Sequence, residues 1–222
     1  MGFQAMVLGA TGLVGGFVVK ELLNRADYDV VKVLVRRPLG IQHPKLKEIL
    51  VDWDTLDQHQ ELFEDVLDVF CCLGTTIKKA GSQEQFRKVD FEYPLVAAQL
   101  AHKAGVRQFL CISAMGADPS SRLFYNRTKG EVENAISREG IPAVHLFRPS
   151  LLLGDRKEKR LGEGISARLM TTLDFLFRGK AAKYRAIPAE VVAHAMVSIA
   201  LAGPLGVHIY PNDVIHAVGL VQ

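Results

Sequence analysis

The chain reads as an α/β protein, a doubly wound parallel sheet with a small C-terminal lobe, and three observations predict it. Short apolar runs alternate with helical patterns through residues 1–150, the rhythm of parallel strands joined by crossover helices. The first run stops at a turn in which Gly9, Gly12 and Gly15 recur at three-residue intervals before a helical stripe begins. Unusual polar residues gather just beyond the ends of the predicted strands, where open sheets of this class hold their ligands.

Taken in order, Gln4–Leu8 is short, apolar and ended by Gly9, as a buried parallel strand would be. From Leu13 the pattern turns helical, with Phe17, Val18 and Leu22 on one face. Val30–Val35 is a second strand and Glu48–Val51 a short third. Leu67–Leu73 is a nearly continuous apolar fourth. A helix over Tyr93–Ala104 follows, with Gly105 as its cap. Gln108–Ile112 and Ala143–Phe147 supply strands five and six, with a helix over Tyr125–Ser137 between them. Beyond them lie a basic loop at 154–160, a pattern over Ile165–Phe177, a helix at Pro188–Leu201 and a run at Val207–Tyr210. The expectation is one domain over 1–222, with a cofactor-binding core at 1–150 and a substrate-side lobe at 151–222.

Composition narrows the class. With 27 basic against 24 acidic residues the charge is too balanced to imply nucleic acid. No apolar run approaches the ~18 residues of a membrane span, and no secretory leader is evident. Cys71, Cys72 and Cys111 lie in apolar runs, which favours buried reduced thiols over a disulfide or a metal site, and a cytoplasmic setting.

The glycine turn is a candidate anion cradle. Gly9 lets the chain turn, Gly12 lets a pyrophosphate approach the backbone, and Gly15 lets helix and strand pack closely. Thr11, Leu13 and Val14 complete that turn, whose unpaired N–H groups and helix dipole would meet one anion. After strand two stand Arg36 and Arg37 with no carboxylate close by. A guanidinium suits a ribose 2′-phosphate, so NADP(H), with NADPH preferred over NADH, is the expected dinucleotide. Asp52 follows strand three and could accept from an adenine amino group. Leu73 ends strand four, Gly74 and Thr75 follow it, and Ser113 follows strand five.

Tyr125 and Lys129 stand four apart, so on a helix they share a face. A phenol with pKa ~10 is a poor acid–base group at neutral pH. A neighbouring ammonium favours phenolate and moves it toward the useful range. Ser113, twelve residues upstream, could donate a hydrogen bond to a substrate carbonyl oxygen.

The glycine spacing, Cys-Cys-Leu-Gly-Thr-Thr (71–76), Ile-Ser-Ala-Met-Gly-Ala-Asp (112–118), Phe-Tyr-Asn-Arg-Thr-Lys-Gly-Glu-Val-Glu (124–133) and Phe-Arg-Pro-Ser-Leu-Leu-Leu-Gly-Asp-Arg (147–156) carry a resemblance. Together they resemble the extended and atypical branch of the short-chain dehydrogenase/reductase superfamily, in the group of the Tat-interacting tumour-suppressor protein and its bacterial homologues. The resemblance implies a Rossmann fold, NADP(H) binding and a Ser113–Tyr125–Lys129 triad, with Pro149 to Leu152 lining the nicotinamide. An asparagine that other branches use to organise a relay water has no clear counterpart, Asp90 being a loose candidate. The implied activity is hydride transfer to or from a small carbonyl or alcohol. An NADP(H)-binding regulator that contacts a protein partner, with little turnover, is the alternative. Epimerase or dehydratase chemistry on nucleotide sugars shares the triad, but the stretch after strand six is short for it.

Overall fold

The computed structural model describes residues 2–154 and 184–220. Seven strands form one parallel sheet: β1 (Phe3–Leu8), β2 (Tyr28–Val35), β3 (Leu46–Leu50), β4 (Asp68–Cys71), β5 (Gln108–Ile112), β6 (Ala143–Arg148) and, late in the chain, Gly206–Pro211. A separate ladder pairs β7 (Leu152–Leu153) with β8 (Ile187–Pro188), so the last strand of the main sheet is β9. The order β3-β2-β1-β4-β5-β6-β9 reverses between β1 and β4, the Rossmann switch point.

Alternation along β1 explains the two cores. Ala5 and Val7 face a layer made by α1 (Leu13–Asn24) and a late helix, Ala189–Ala202. Met6 and Leu8 face the opposite layer, built by two longer helices, Tyr93–Lys103 and Phe124–Ile136. Two short helices, α2 (Ile77–Ala80) and α3 (Gln83–Arg87), stand between β4 and that pair. The longer pair are therefore α4 and α5, the late helix is α6, and Asn212–Gly219 is α7. Between α3 and α4, Lys88–Glu92 winds as a π turn.

Residues 184–220, expected with the C-terminal lobe, are wound into the main body: β9 extends the sheet from β6 and α6 packs on α1. Their sequence carries a helical pattern and an apolar run, but nothing in that local pattern says which sheet they join. Most of the basic loop and the 165–177 pattern lie outside the described residues.

Candidate cofactor and catalytic site

The glycine turn is built as a contact surface. Gly9 has a left-handed φ of +82°, and a side chain there would reach within 2.5 Å of the Cys72 carbonyl oxygen. Only glycine lets the end of β1 pass so close to the chain leaving β4. A Cβ on Gly15 would lie 2.2 Å from the Gly9 carbonyl oxygen, so the third glycine sets how closely α1 approaches the turn. Gly12 closes the turn by donating its N–H to Gly9 O at 2.9 Å. As N-cap of α1 it offers no side chain, and the first turn carries no acid. The N–H groups of Leu13, Val14 and Gly15 therefore begin a 12-residue helix with no internal acceptor. Val14 is buried in the core and Thr11 is exposed, so Val14 can contribute to an anion only through its backbone.

Around this cradle the other strand ends differ in character. Arg36 and Arg37 are both exposed. Asp52 uses Oδ1 to accept from the Asp54 N–H at 3.0 Å, capping the turn Trp53–Gln58. Trp53 is buried against Tyr93, ring centroids 5.7 Å apart. Lys88 and the Tyr93 hydroxyl both hold Asp54, and burial with that hydrogen bond pushes the Tyr93 phenol up. The rim beside Asp52 is thus a fixed wall of aromatic and charged groups.

The end of β4 is where cofactor side and catalytic side meet. The Thr75 N–H donates to Asp90 Oδ2 at 2.8 Å, while Asp90 Oδ1 sits 2.7 Å from Lys129 Nζ. A Cβ on Gly74 would stand 3.5 Å from that carboxylate and 3.9 Å from the ammonium, so Gly74 keeps the approach to Lys129 open, beside half-buried Leu73. Asp90 and Lys129 are both buried, at 1% and 6% side-chain exposure. Burial by itself lowers the Lys129 pKa, but the Asp90 carboxylate, with a further contribution from Tyr125, outweighs it and raises the pKa above the ordinary value. Lys129 is therefore a buried permanent cation.

On α5, Tyr125 lies one turn before Lys129 and rests its ring against Phe86 at 5.5 Å. The nearest charge to Lys129 is Asp90 rather than the phenol that the sequence pattern suggested as its partner. Ser113 follows β5 and donates its N–H to Phe147 O at 2.7 Å. Its hydroxyl is buried and has no hydrogen-bond partner among the described residues. Such a group costs about 1–3 kcal/mol unless something meets it.

The remaining wall comes from the chain after β6. Pro149 is buried and its carbonyl accepts from Met115 N–H at 2.9 Å, tying this segment to the loop after Ser113. Leu152 pairs with Ile187, and Leu13 packs against the same apolar cluster. A Cβ on Gly154 would lie 2.8 Å from Leu13, so the 149–154 segment runs beside the mouth of the glycine turn.

The structure thus brings Leu73–Thr75 together with Lys129, and Leu152–Gly154 together with Leu13. Arg36, Arg37 and Asp52 form a separate rim. Asp90 was legible only as a loose candidate, because nothing in Lys88-Val89-Asp90-Phe91 says that a π turn aims its carboxylate inward. His145, on β6, is fully buried with Nδ1 3.0 Å from Tyr210 Oη, and burial brings its pKa down to about 4.

A helix start beyond β1 with uncapped N–H groups, glycines there where side chains would collide, and an unmet hydroxyl beyond β5 fit a dinucleotide bound at a switch point. Known proteins agree. The NAD(P)H-binding family model matches residues 9–201. Protein HTATIP2 of Rattus norvegicus is 35% identical over 198 residues, covering 88% of this chain and 80% of its own. Protein FMP52, mitochondrial, of Debaryomyces hansenii is 32% identical over 202 residues, covering 90% and 87%. In fold the chain is similar to MoeE5 in complex with UDP-glucuronic acid and NAD, with a TM-score of 0.73, 19% identity and coverage of 94% and 76%. It is also similar in fold to UDP-N-acetylglucosamine 4-epimerase from Bacillus cereus, with a TM-score of 0.70, 16% identity and coverage of 94% and 78%. The chain belongs to the NAD(P)H-binding family of the short-chain dehydrogenase/reductase superfamily, in its atypical branch with the HTATIP2-like proteins.

Proposed function

We propose that this protein is an NADP(H)-dependent oxidoreductase that interconverts a small carbonyl compound and its alcohol. The observation that carries the reading is the buried, unpartnered Ser113 hydroxyl at the end of β5, on the chain that leads into α5 with Tyr125 and Lys129. A hydroxyl left unmet in a buried place is suited to a substrate oxygen. In this reading the glycine turn, with Gly9, Thr11, Gly12, Leu13, Val14 and Gly15, holds the pyrophosphate. Arg36 and Arg37 take the 2′-phosphate, Asp52 borders the adenine, and Leu73, Gly74 and Thr75 border the ribose. Pro149 and Leu152 wall the nicotinamide. Residues 1–150 supply the cofactor core, and the chain beyond supplies the substrate side.

The bound dinucleotide supplies the hydride donor or acceptor. The chain supplies the rest. Ser113 Oγ donates to the carbonyl oxygen and fixes its direction. Tyr125 Oη gives its proton to that oxygen as it becomes an alcohol, or removes the proton in reverse. Lys129, held positive by Asp90, stabilises the negative charge that remains on the phenolic oxygen and reaches the ribose hydroxyls. The cytoplasm is the compartment we assign to this activity on the three free cysteines, although several yeast relatives are named mitochondrial. Among the described residues no helix is long and apolar enough to cross a membrane.

One observation favours a second reading, an NADP(H)-binding regulator that contacts a protein partner and turns over little. Asp90 forms a buried ion pair with the lysine that should serve the tyrosine. The test measures binding of NADPH and NADH and then oxidation of NADPH across a carbonyl panel. We expect NADPH to bind more tightly and turnover to fall by about 10²–10⁴-fold in Tyr125→Phe. Equal affinity for NADH removes the Arg36/Arg37 assignment. Tight NADPH binding with no turnover on any carbonyl selects the regulator.

A further inference from the structure

Asn212 is the first residue of α7. It is 1% exposed and both ends of its carboxamide are engaged across the chain. Oδ1 accepts from the Ser150 N–H at 2.9 Å, and Nδ2 donates to the Arg185 carbonyl at 2.8 Å. The Ser150 hydroxyl donates to that same carbonyl. Two residues on, Ile187 N–H donates to Leu151 O at 2.9 Å, where the β7–β8 ladder begins.

The 149–154 segment is therefore held at three places of different kinds. At Pro149 it is tied to the loop after Ser113. At Leu151–Leu153 it is paired with β8. In between, at Ser150, its own hydroxyl meets the Arg185 carbonyl, and the side chain of Asn212, from a third element, holds the Ser150 N–H and that same carbonyl. Pairing fixes the strand direction of β7, but it leaves free how far the bend at 149–151 swings toward the glycine turn. A planar amide with one acceptor and one donor, each matched to a backbone group on a different segment, sets that separation. The tie also joins chain on the two sides of residues 155–183.

We infer that Asn212 is a positioning residue for the nicotinamide half of the cofactor: by bridging Ser150 and Arg185 it sets the Pro149–Leu152 wall against the mouth of the glycine turn. The inference rests on the reading of that wall as the nicotinamide face. Asn212 itself touches neither cofactor nor substrate in this scheme, and the adenine rim at Arg36, Arg37 and Asp52 lies on other strands.

The test compares two probes on the full chain: NADPH, and 2′-phospho-ADP-ribose, which lacks the nicotinamide. Asn212→Ala should weaken NADPH by about tenfold, the scale of one lost buried hydrogen bond, and leave the fragment within about twofold. The change in fluorescence of bound NADPH relative to free should shrink in parallel. Equal weakening of both probes, or of neither, overturns the inference while leaving the cofactor reading intact. If Asn212→Ala does not fold, Asn212→Asp decides. It keeps the acceptor for Ser150 but turns a second acceptor toward the Arg185 carbonyl, so it should show the same selective loss at equal or greater size. No selective loss in that variant overturns the inference. Wild-type protein that binds the fragment as tightly as NADPH removes the nicotinamide wall, and this role with it.

Discussion

Asp68 and Asp90 are both buried carboxylates paired with a cation, yet they sit at opposite ends of the sheet and are finished differently. Asp68, at the start of β4, accepts from Tyr28 Oη at 2.7 Å, from Gln108 Nε2 at 2.8 Å and from Arg107 Nη2 at 3.0 Å. Arg107 and Gln108 also donate to Ala200 O, so the cluster pins α6 beneath the sheet. Burial and Asp68 push the Tyr28 phenol well up, which keeps it a donor. At the other end, Asp90 serves Lys129 and the Thr75 N–H, and nearby Ser113 is left without a partner. The lower cluster is closed by the protein's own groups, and the upper one leaves a donor over. A closed buried network specifies structure; an unfinished one marks where a ligand completes it.

Breaking the lower cluster should give the largest stability effect. Asp68→Ala leaves the buried Tyr28 hydroxyl without its acceptor and Arg107 without its carboxylate, and should cost about 3–5 kcal/mol in urea unfolding. NADPH affinity, measured cold on folded protein, should hardly change. A loss below about 1 kcal/mol would erase the contrast between the two ends. Next in size is acid sensitivity at His145, where burial outweighs a hydrogen bond. Its folded pKa of about 4 lies below the ordinary 6.5, so between these values the unfolded chain binds the extra proton. The stabilisation is complete above pH 6.5 and is lost as pH falls toward 4, by up to about 3 kcal/mol. Unfolding free energies from pH 7 to 4 should show this loss, and His145→Leu should flatten it. The smallest stability effect belongs to Ser113→Ala, which removes an unmatched hydroxyl. Its unfolding free energy should stay within about 1 kcal/mol of wild type, while carbonyl turnover drops by about 10²-fold. A large destabilisation would show that Ser113 is part of the frame.

Local pattern made much of this readable. Gln108–Ile112 is a strand with the boundaries read from sequence, the helix from Tyr93 ends one residue earlier than expected, and the helix over Tyr125 is shifted by one residue at each end. A buried parallel strand must be a short apolar run, and a helix beside a sheet must repeat its apolar face, so both leave a one-dimensional trace. Gly9 and Gly15 were legible for a related reason: backbone passing backbone admits no side chain, and that demand is written in the residue type itself.

Partnerships across the fold leave no such trace. Lys129 was readable beside Tyr125 because helical neighbours are four apart in sequence. Its actual partner, Asp90, lies on another element and reaches inward only because Lys88–Glu92 winds as a π turn. Tyr28 and Asp68, or Ser150 and Asn212, are likewise joined only by the winding of the sheet. By itself the sequence determined the layers, the glycine cradle and the residue types at the strand ends, since these follow from burial period and backbone sterics. Tertiary structure alone decided which buried charge meets which, that β9 closes the sheet, and that the Ser113 hydroxyl is left over, because hydrogen bonding in a buried place depends on distances between segments far apart in the chain.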